Sequence, residues 1–193
     1  MMMETTMTET TMNETTMIKI RCYEKTDMEQ IIALVLHCQN DGTRPFVTLE
    51  DQPELLHIQE KYIDGGGNFW VAEEDGRIAG SIGLMNYGNG TGILKKFFVY
   101  ETYRSSPHHL GRRLYNVLLT FAKEHGYCTL VLDTPKNTDR AHRFYENAGF
   151  EKIGREQLGI IYDYPYEDSD FFRLQVVDAS CERMAESCGM IDA

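Results

Sequence analysis

Apolar and polar positions follow two periods along this chain. IKIRCY, residues 18–23, alternates every second residue and predicts a strand, and TDME offers Thr26 and Glu29 as a capping box for a helix reaching about Cys38. LEDQPELLHIQEKYI predicts a second helix closed by DGGG. Its Gly65–Gly67 run reads as a turn, because no Lys-Ser or Lys-Thr follows to make a phosphate loop. FWVAEE and RIAGSIGLMNY, joined at Asp75-Gly76, predict a hairpin, and ILKKFFVY a third strand. In that strand Phe97 and Val99 share one face while Leu94 falls on the other parity. A bulge near Lys95 and Lys96 is needed to bring all three inside.

The period then lengthens. In LGRRLYNVLLTFAKEHGY, Leu110, Leu114, Val117, Leu118 and Phe121 recur at helical spacing, and His125-Gly126 ends the helix. TLVLDT is apolar enough to be buried on both faces. NTDRAHRFYENAGF predicts another helix, with Ala141, Phe144, Tyr145 and Ala148 on one face and Gly149 at its stop. EKIGREQ with GIIYDYP, and DFFRLQVV, are expected as the last strands. The order implies helices on a mixed sheet, an α/β (α+β) domain.

At 193 residues one domain is expected, over residues 17–177. Residues 1–16, with their repeated ETTM, are expected to be a disordered low-complexity tail, and 178–193 a C-terminal tail. The net charge of -11 argues against nucleic acid or an anionic membrane as partner, and no run approaches the roughly 18 apolar residues of a membrane span. The five cysteines include no C-x-x-C pair and no histidine at zinc spacing, so no metal is expected and a reducing cytoplasm fits best.

YRSSPHHLGRRLY, residues 103–115, is a loop feeding a helix, where free N–H groups and the positive end of the helix dipole favour an anion. Arg104, Arg112 and Arg113 make a local basic cluster there on an acidic protein. A solvated helix face explains them as well.

The block FFVYETYR, HLGRRLYNVLLTFAKEHGY, TLVLDT and AHRFYENAGFEKIG resembles the GNAT N-acetyltransferase family, over roughly Ile18 to Val177. The resemblance implies a three-layer fold, with a mixed, mostly antiparallel central sheet of about seven strands and helices on both faces. It implies acetyl-CoA as co-substrate and an amine acceptor, either a small molecule, cationic amines included, or a protein amine. Homodimers are common in the family, which makes one an expectation here. The family's Q/R-x-x-G-x-G/A loop binds pyrophosphate through main-chain amides. Counting back from Gly111 puts Ser106 at the Q/R position and His109 at the first glycine; alternatively Arg104 is the basic residue of a loop two residues longer. The cofactor set on this resemblance is Phe98, Val99 and Tyr100 through their main chain, with Arg104, Ser106, His109, Leu110, Gly111, Arg112 and Asn137.

Transfer to an amine requires deprotonating an ammonium, stabilising an oxyanion and protonating a leaving thiolate. The family's acid is the tyrosine of F/L-Y-x-x-x-G-F, here Tyr145 in FYENAGF, a residue that a core role also accounts for. Glu101, just after the third hairpin strand, is the candidate base. YDYPYEDSD sets Asp163, Glu167, Asp168 and Asp170 among tyrosines, a pattern suited to a cationic amine. No cysteine is placed for a covalent acyl-enzyme, so direct attack in a ternary complex is expected. The alternative is a non-catalytic acyl-CoA-binding module of the same fold.

Overall fold

The computed structural model describes residues 17–176. The repeat of residues 1–16 and the tail 178–193 lie outside the described residues. Seven strands form one sheet: β1 (Lys19–Cys22), β2 (Asn68–Glu74), β3 (Arg77–Gly88), β4 (Thr91–Val99), β5 (Thr129–Pro135), β6 (Glu151–Ile153) and β7 (Ser169–Gln175). Their order is β1-β2-β3-β4-β5-β7-β6, and every neighbouring pair is antiparallel except β4 with β5. Helix α1 (Met28–Gln39) covers one face, over Phe69, Val71 and Ile78. Helices α2 (Leu110–Glu124) and α3 (Asp139–Asn147) cover the other, over Leu94, Leu130, Leu132 and Phe172. This is the three-layer arrangement that the sequence suggests.

Three local expectations change. The capping box lies two residues earlier: the Glu24 N–H donates to Asp27 Oδ2 at 2.8 Å and closes a 3-10 turn, Lys25–Asp27, that leads into α1. Asp27 is buried there because Arg21 holds both its oxygens, at 2.7 and 2.8 Å. The second helix is not an α-helix but a 3-10 turn, Pro53–His57, followed by a π turn, Gln59–Ile63. Buried Gln52, Leu55 and Ile58 recur every third residue, which suits the tighter winding. Finally, of EKIGREQ and GIIYDYP only Glu151–Ile153 forms a strand. Residues 159–165 join no ladder and pack Tyr162 and Tyr164 against Ile93, Val131 and Phe171 instead.

The bulge expected in β4 is present. Ser81 pairs with Phe98 but Gly83 with Lys95, so Lys96 and Phe97 together face Ile82. Lys96 takes φ 52°, and Ser81 Oγ donates to its carbonyl at 2.8 Å. Leu94, Phe97 and Val99 thereby reach the α2 side of the sheet. The parallel ladder of β4 and β5 has only three rungs, Thr91–Thr129, Gly92–Leu130 and Ile93–Val131. Beyond Ile93 no rung joins the two strands, and a cleft opens between them.

Candidate active site

The cleft has a volume of about 600 Å³ and is lined from both faces of the sheet. On the α2 and α3 side lie His109, Gly111, Arg112, Asn137 and Arg140, with Phe144 and Tyr145, and Arg104 bridges to the other side, its Nη2 donating to Cys38 Sγ at 3.6 Å. On the α1 side lie Cys38, Gln39, Asp41, Arg44, Lys96 and Tyr166.

The first side brings together a helix N-terminus and several arginines. His109, N-cap of α2, sits at φ 43° and ψ 40°, the left-handed conformation in which glycine is favoured and histidine is tolerated. Its carbonyl accepts from the Arg112 and Arg113 N–H groups at 3.1 and 3.3 Å. The Leu110 and Gly111 N–H groups have no intramolecular acceptor among the described residues and remain for a ligand. The loop thus turns into α2 through a left-handed histidine, with Gly111 its single glycine. Burial and the neighbouring Arg104 lower the Arg140 guanidinium below its ordinary pKa, the mark of cations crowded together.

Tyr145 lines the cleft at the junction of the two sides and is 7% exposed. Its ring packs against Phe97, Phe144, Phe150 and Phe172. Its hydroxyl makes no hydrogen bond among the described residues. Burial, then Asp133 and Tyr115, push its pKa well above the ordinary tyrosine value, so it stays protonated at neutral pH.

The α1 side holds groups that the sequence pattern did not single out. The bulge turns Lys96 inward, its side chain 3% exposed, with Nζ 2.9 Å from Glu54 Oε1 and donating to Gln52 Oε1, while Gln52 Nε2 donates to Gln39 Oε1 at 2.6 Å. Burial pushes the Glu54 carboxyl up, but Lys96 and Lys95 outweigh it and hold the group below the usual carboxylate range. Asp133 of β5 also lines the cleft. Burial raises its pKa, and the nearby Lys95 and Lys96 oppose the rise. Alternation had hidden these residues: Lys96 shares the parity of buried Leu94 but leaves that face at the bulge, and Glu54 is 42 positions away in sequence.

The residues expected from the sequence divide. Phe98, Val99, Arg104, His109, Gly111, Arg112, Asn137 and Tyr145 all line the cleft. Leu110 is buried, so only its main chain is available, and Ser106 is exposed and outside the lining. Tyr100 packs on the α1 side beside His37, and its N–H is used by the Ala79 carbonyl at 3.0 Å. The Val99 carbonyl accepts from Arg104 Nε at 2.7 Å. Glu101 is not in the lining. The 3-10 turn Glu101–Tyr103 leaves its side chain 70% exposed, 3.5 Å from Arg104. The acidic loop does not line the cleft with carboxylates either: Asp168 pairs with Lys136, Asp170 with Lys152, and only Pro165 and Tyr166 reach the cleft. No cluster of three or more metal-ligating side chains occurs among the described residues, and no helix among them is long and apolar enough to cross a membrane.

Residues 32–150 match the model of the acetyltransferase (GNAT) family. The chain is 29% identical over 112 residues to N-acetyltransferase family 8 member 2 of Rattus norvegicus, across 56% of this chain and 50% of that protein. It spans about half the length of the curated relatives it matches. Among solved structures, an acetyltransferase from Streptococcus agalactiae superposes with a TM-score of 0.78 at 35% identity, covering 82% of this chain and 98% of that one. The fold of yncA from Salmonella typhimurium, solved with its cofactor acetyl-CoA, superposes with a TM-score of 0.61 at 19% identity, over 83% and 95% of the two chains.

Proposed function

The chain belongs to the acetyltransferase (GNAT) family, and from that premise we propose that it moves the acetyl group of acetyl-CoA onto an amine by direct attack in a ternary complex. The observation that carries this reading is the convergence on one cleft of an anion-binding helix terminus and a protonated, unbonded Tyr145 hydroxyl.

In this reading the Leu110 and Gly111 N–H groups, with Arg104, Arg112 and Arg140, hold the pyrophosphate of the co-substrate. β4 past Ile93 offers main-chain groups along the cleft to its acyl arm. As the amine nitrogen bonds to the carbonyl carbon and the C–S bond breaks, Tyr145 gives its proton to the departing sulfur. Asp133 is the base that takes the proton from the ammonium, in place of the expected Glu101, because of the cleft carboxylates Asp41, Asp133 and Asp139 it is the one near enough to act on Tyr145. Its raised pKa matches that task better than an ordinary aspartate's would.

The first test is thermal unfolding of the full chain with and without acetyl-CoA. A ligand at about 100 times its Kd adds roughly 2.7 kcal/mol, or about 5–10 °C in Tm for a domain of this size. Equal shifts with acetyl-CoA and with adenosine diphosphate leave the thioester unrecognised, and no shift with either removes the cofactor site. A specific shift followed by release of free thiol in the presence of amines establishes transfer.

A further inference from the structure

Two donors in the α1 wall of the cleft have no acceptor among the described residues. Arg44 gives Nη2 to the Cys38 carbonyl at 2.7 Å and to Asp41 Oδ2 at 2.9 Å, yet its Nε is buried without a hydrogen-bond partner. Tyr166, 7% exposed, has its hydroxyl buried in the same condition. The two lie close enough that the Arg44 charge acts on the Tyr166 hydroxyl. Both line the cleft. An arginine Nε–H is a donor at every pH, and a buried donor left unmet is uncommon in native structures.

The surrounding charges say what could meet them. On this side the cations are Arg44, Lys95 and Lys96, and the nearby anions are largely engaged: Asp41 by Arg44 and Thr43, Glu54 by Lys96. Asp133, close to the Tyr162 hydroxyl, is the carboxylate on this side with no cation at salt-bridge distance among the described residues. The acidic loop that would have drawn a polycation spends Asp168 and Asp170 on lysines of the same chain. A wall with two waiting donors and three cations against two anions, beside the half-buried Asp133, is complementary to a molecule bearing both charges.

We propose that Arg44 and Tyr166 form a carboxylate subsite in the acceptor half of the cleft, so that the acceptor is an amine carrying a carboxylate, an amino acid or a close relative, and not a polyamine. This rests on the acetyltransferase reading. The carboxylate accepts from Arg44 Nε and Tyr166 Oη, which orients the amine toward Asp133. No bond is made or broken at the subsite.

The test is acetyl transfer, followed by thiol release, to the common amino acids and 4-aminobutyrate, to the carboxamide of each, and to putrescine and spermidine. Binding of the same compounds to the coenzyme A complex is measured in parallel by calorimetry. At least one carboxylate acceptor should exceed its carboxamide by about 10-fold or more in kcat/KM. That preference should vanish in Arg44→Gln and fall several-fold in Tyr166→Phe, a variant that loses no hydrogen bond on folding. Arg44→Lys, which keeps a charge in the α1 cap, serves if Arg44→Gln does not fold. Carboxamides or polyamines used as well as the acids, a preference that survives both Arg44→Gln and Tyr166→Phe, or no carboxylate compound bound or acetylated would each overturn the subsite. Absence of any acetyl-CoA shift in Tm would instead overturn the acetyltransferase reading beneath it.

Discussion

Tyr145→Phe separates catalysis from packing with one atom. The ring makes four aromatic contacts and is buried, so a larger change would disturb the core. The hydroxyl makes no hydrogen bond among the described residues, and its removal leaves no partner stranded. Unfolding free energy should therefore change by less than about 0.5 kcal/mol, within the range of neutral substitutions. As the acid that protonates a leaving thiolate, the same hydroxyl should be worth about 100-fold in kcat, or roughly 2.7 kcal/mol of barrier. The assay is steady-state thiol release at saturating acetyl-CoA and acceptor, with urea unfolding and acetyl-CoA thermal shifts on the same preparations. Unchanged kcat with unchanged stability would refute the acid role and leave Tyr145 as a core aromatic. A large loss of stability would refute the claim that the hydroxyl is structurally idle.

Lys96→Met leaves Glu54 facing a buried space without its cation, and should cost about 3–5 kcal/mol of stability by chemical denaturation. Because the Glu54 pKa is lowered on folding, its contribution is present above the ordinary carboxylate pKa and is lost as pH falls through the folded value; stability measured across pH 3–7 should show a shallower acid decline in Lys96→Met than in wild type. Gly83→Ala would set a Cβ 2.6 Å from Tyr62 Cε1 and 2.8 Å from Phe69 Cδ2, both rings fully buried, and should lower Tm by roughly 2–12 °C, corresponding to about 1–3 kcal/mol. Burial raises the pKa of Tyr115 to about 12, so its share of stability is complete below pH 10 and is lost between pH 10 and 12; alkaline unfolding with a tyrosinate absorbance change in that window is expected, and absorbance completing near pH 10 in the folded protein would contradict it.

What was legible in the sequence was whatever depended on local periodicity. The α2 and α3 stripes, the Asp75-Gly76 hairpin and the β4 bulge all followed from spacing, since a helix or strand buries one face at a fixed interval. The loop feeding α2 was legible as to place but not shape: nothing in PHHLG announces that His109 will take a left-handed φ. Glu101 stands at the end of β4, where the sequence suggests a base, yet a single 3-10 turn swings it to solvent, and a one-residue change in turn geometry leaves no mark on composition. The α1 wall was invisible for another reason. Lys96 with Glu54, Gln52 with Gln39 and Arg44 with Tyr166 are meetings of distant segments, and each residue alone reads as ordinary surface.

The three-rung junction between β4 and β5 has a mechanical meaning as well. Strands β1–β4 and β5–β7 are two stiff plates whose direct lamination is six residues of parallel ladder. Flexing across that seam costs little backbone pairing, while flexing within either plate breaks long antiparallel ladders. A ligand filling the gap past Ile93 acts as a wedge and a glue at once: it props the plates apart at the mouth and couples their motions. Amide exchange along Leu94–Val99 and Leu132–Thr134 should slow together when the cleft is filled, making this seam the place where occupancy is converted into rigidity.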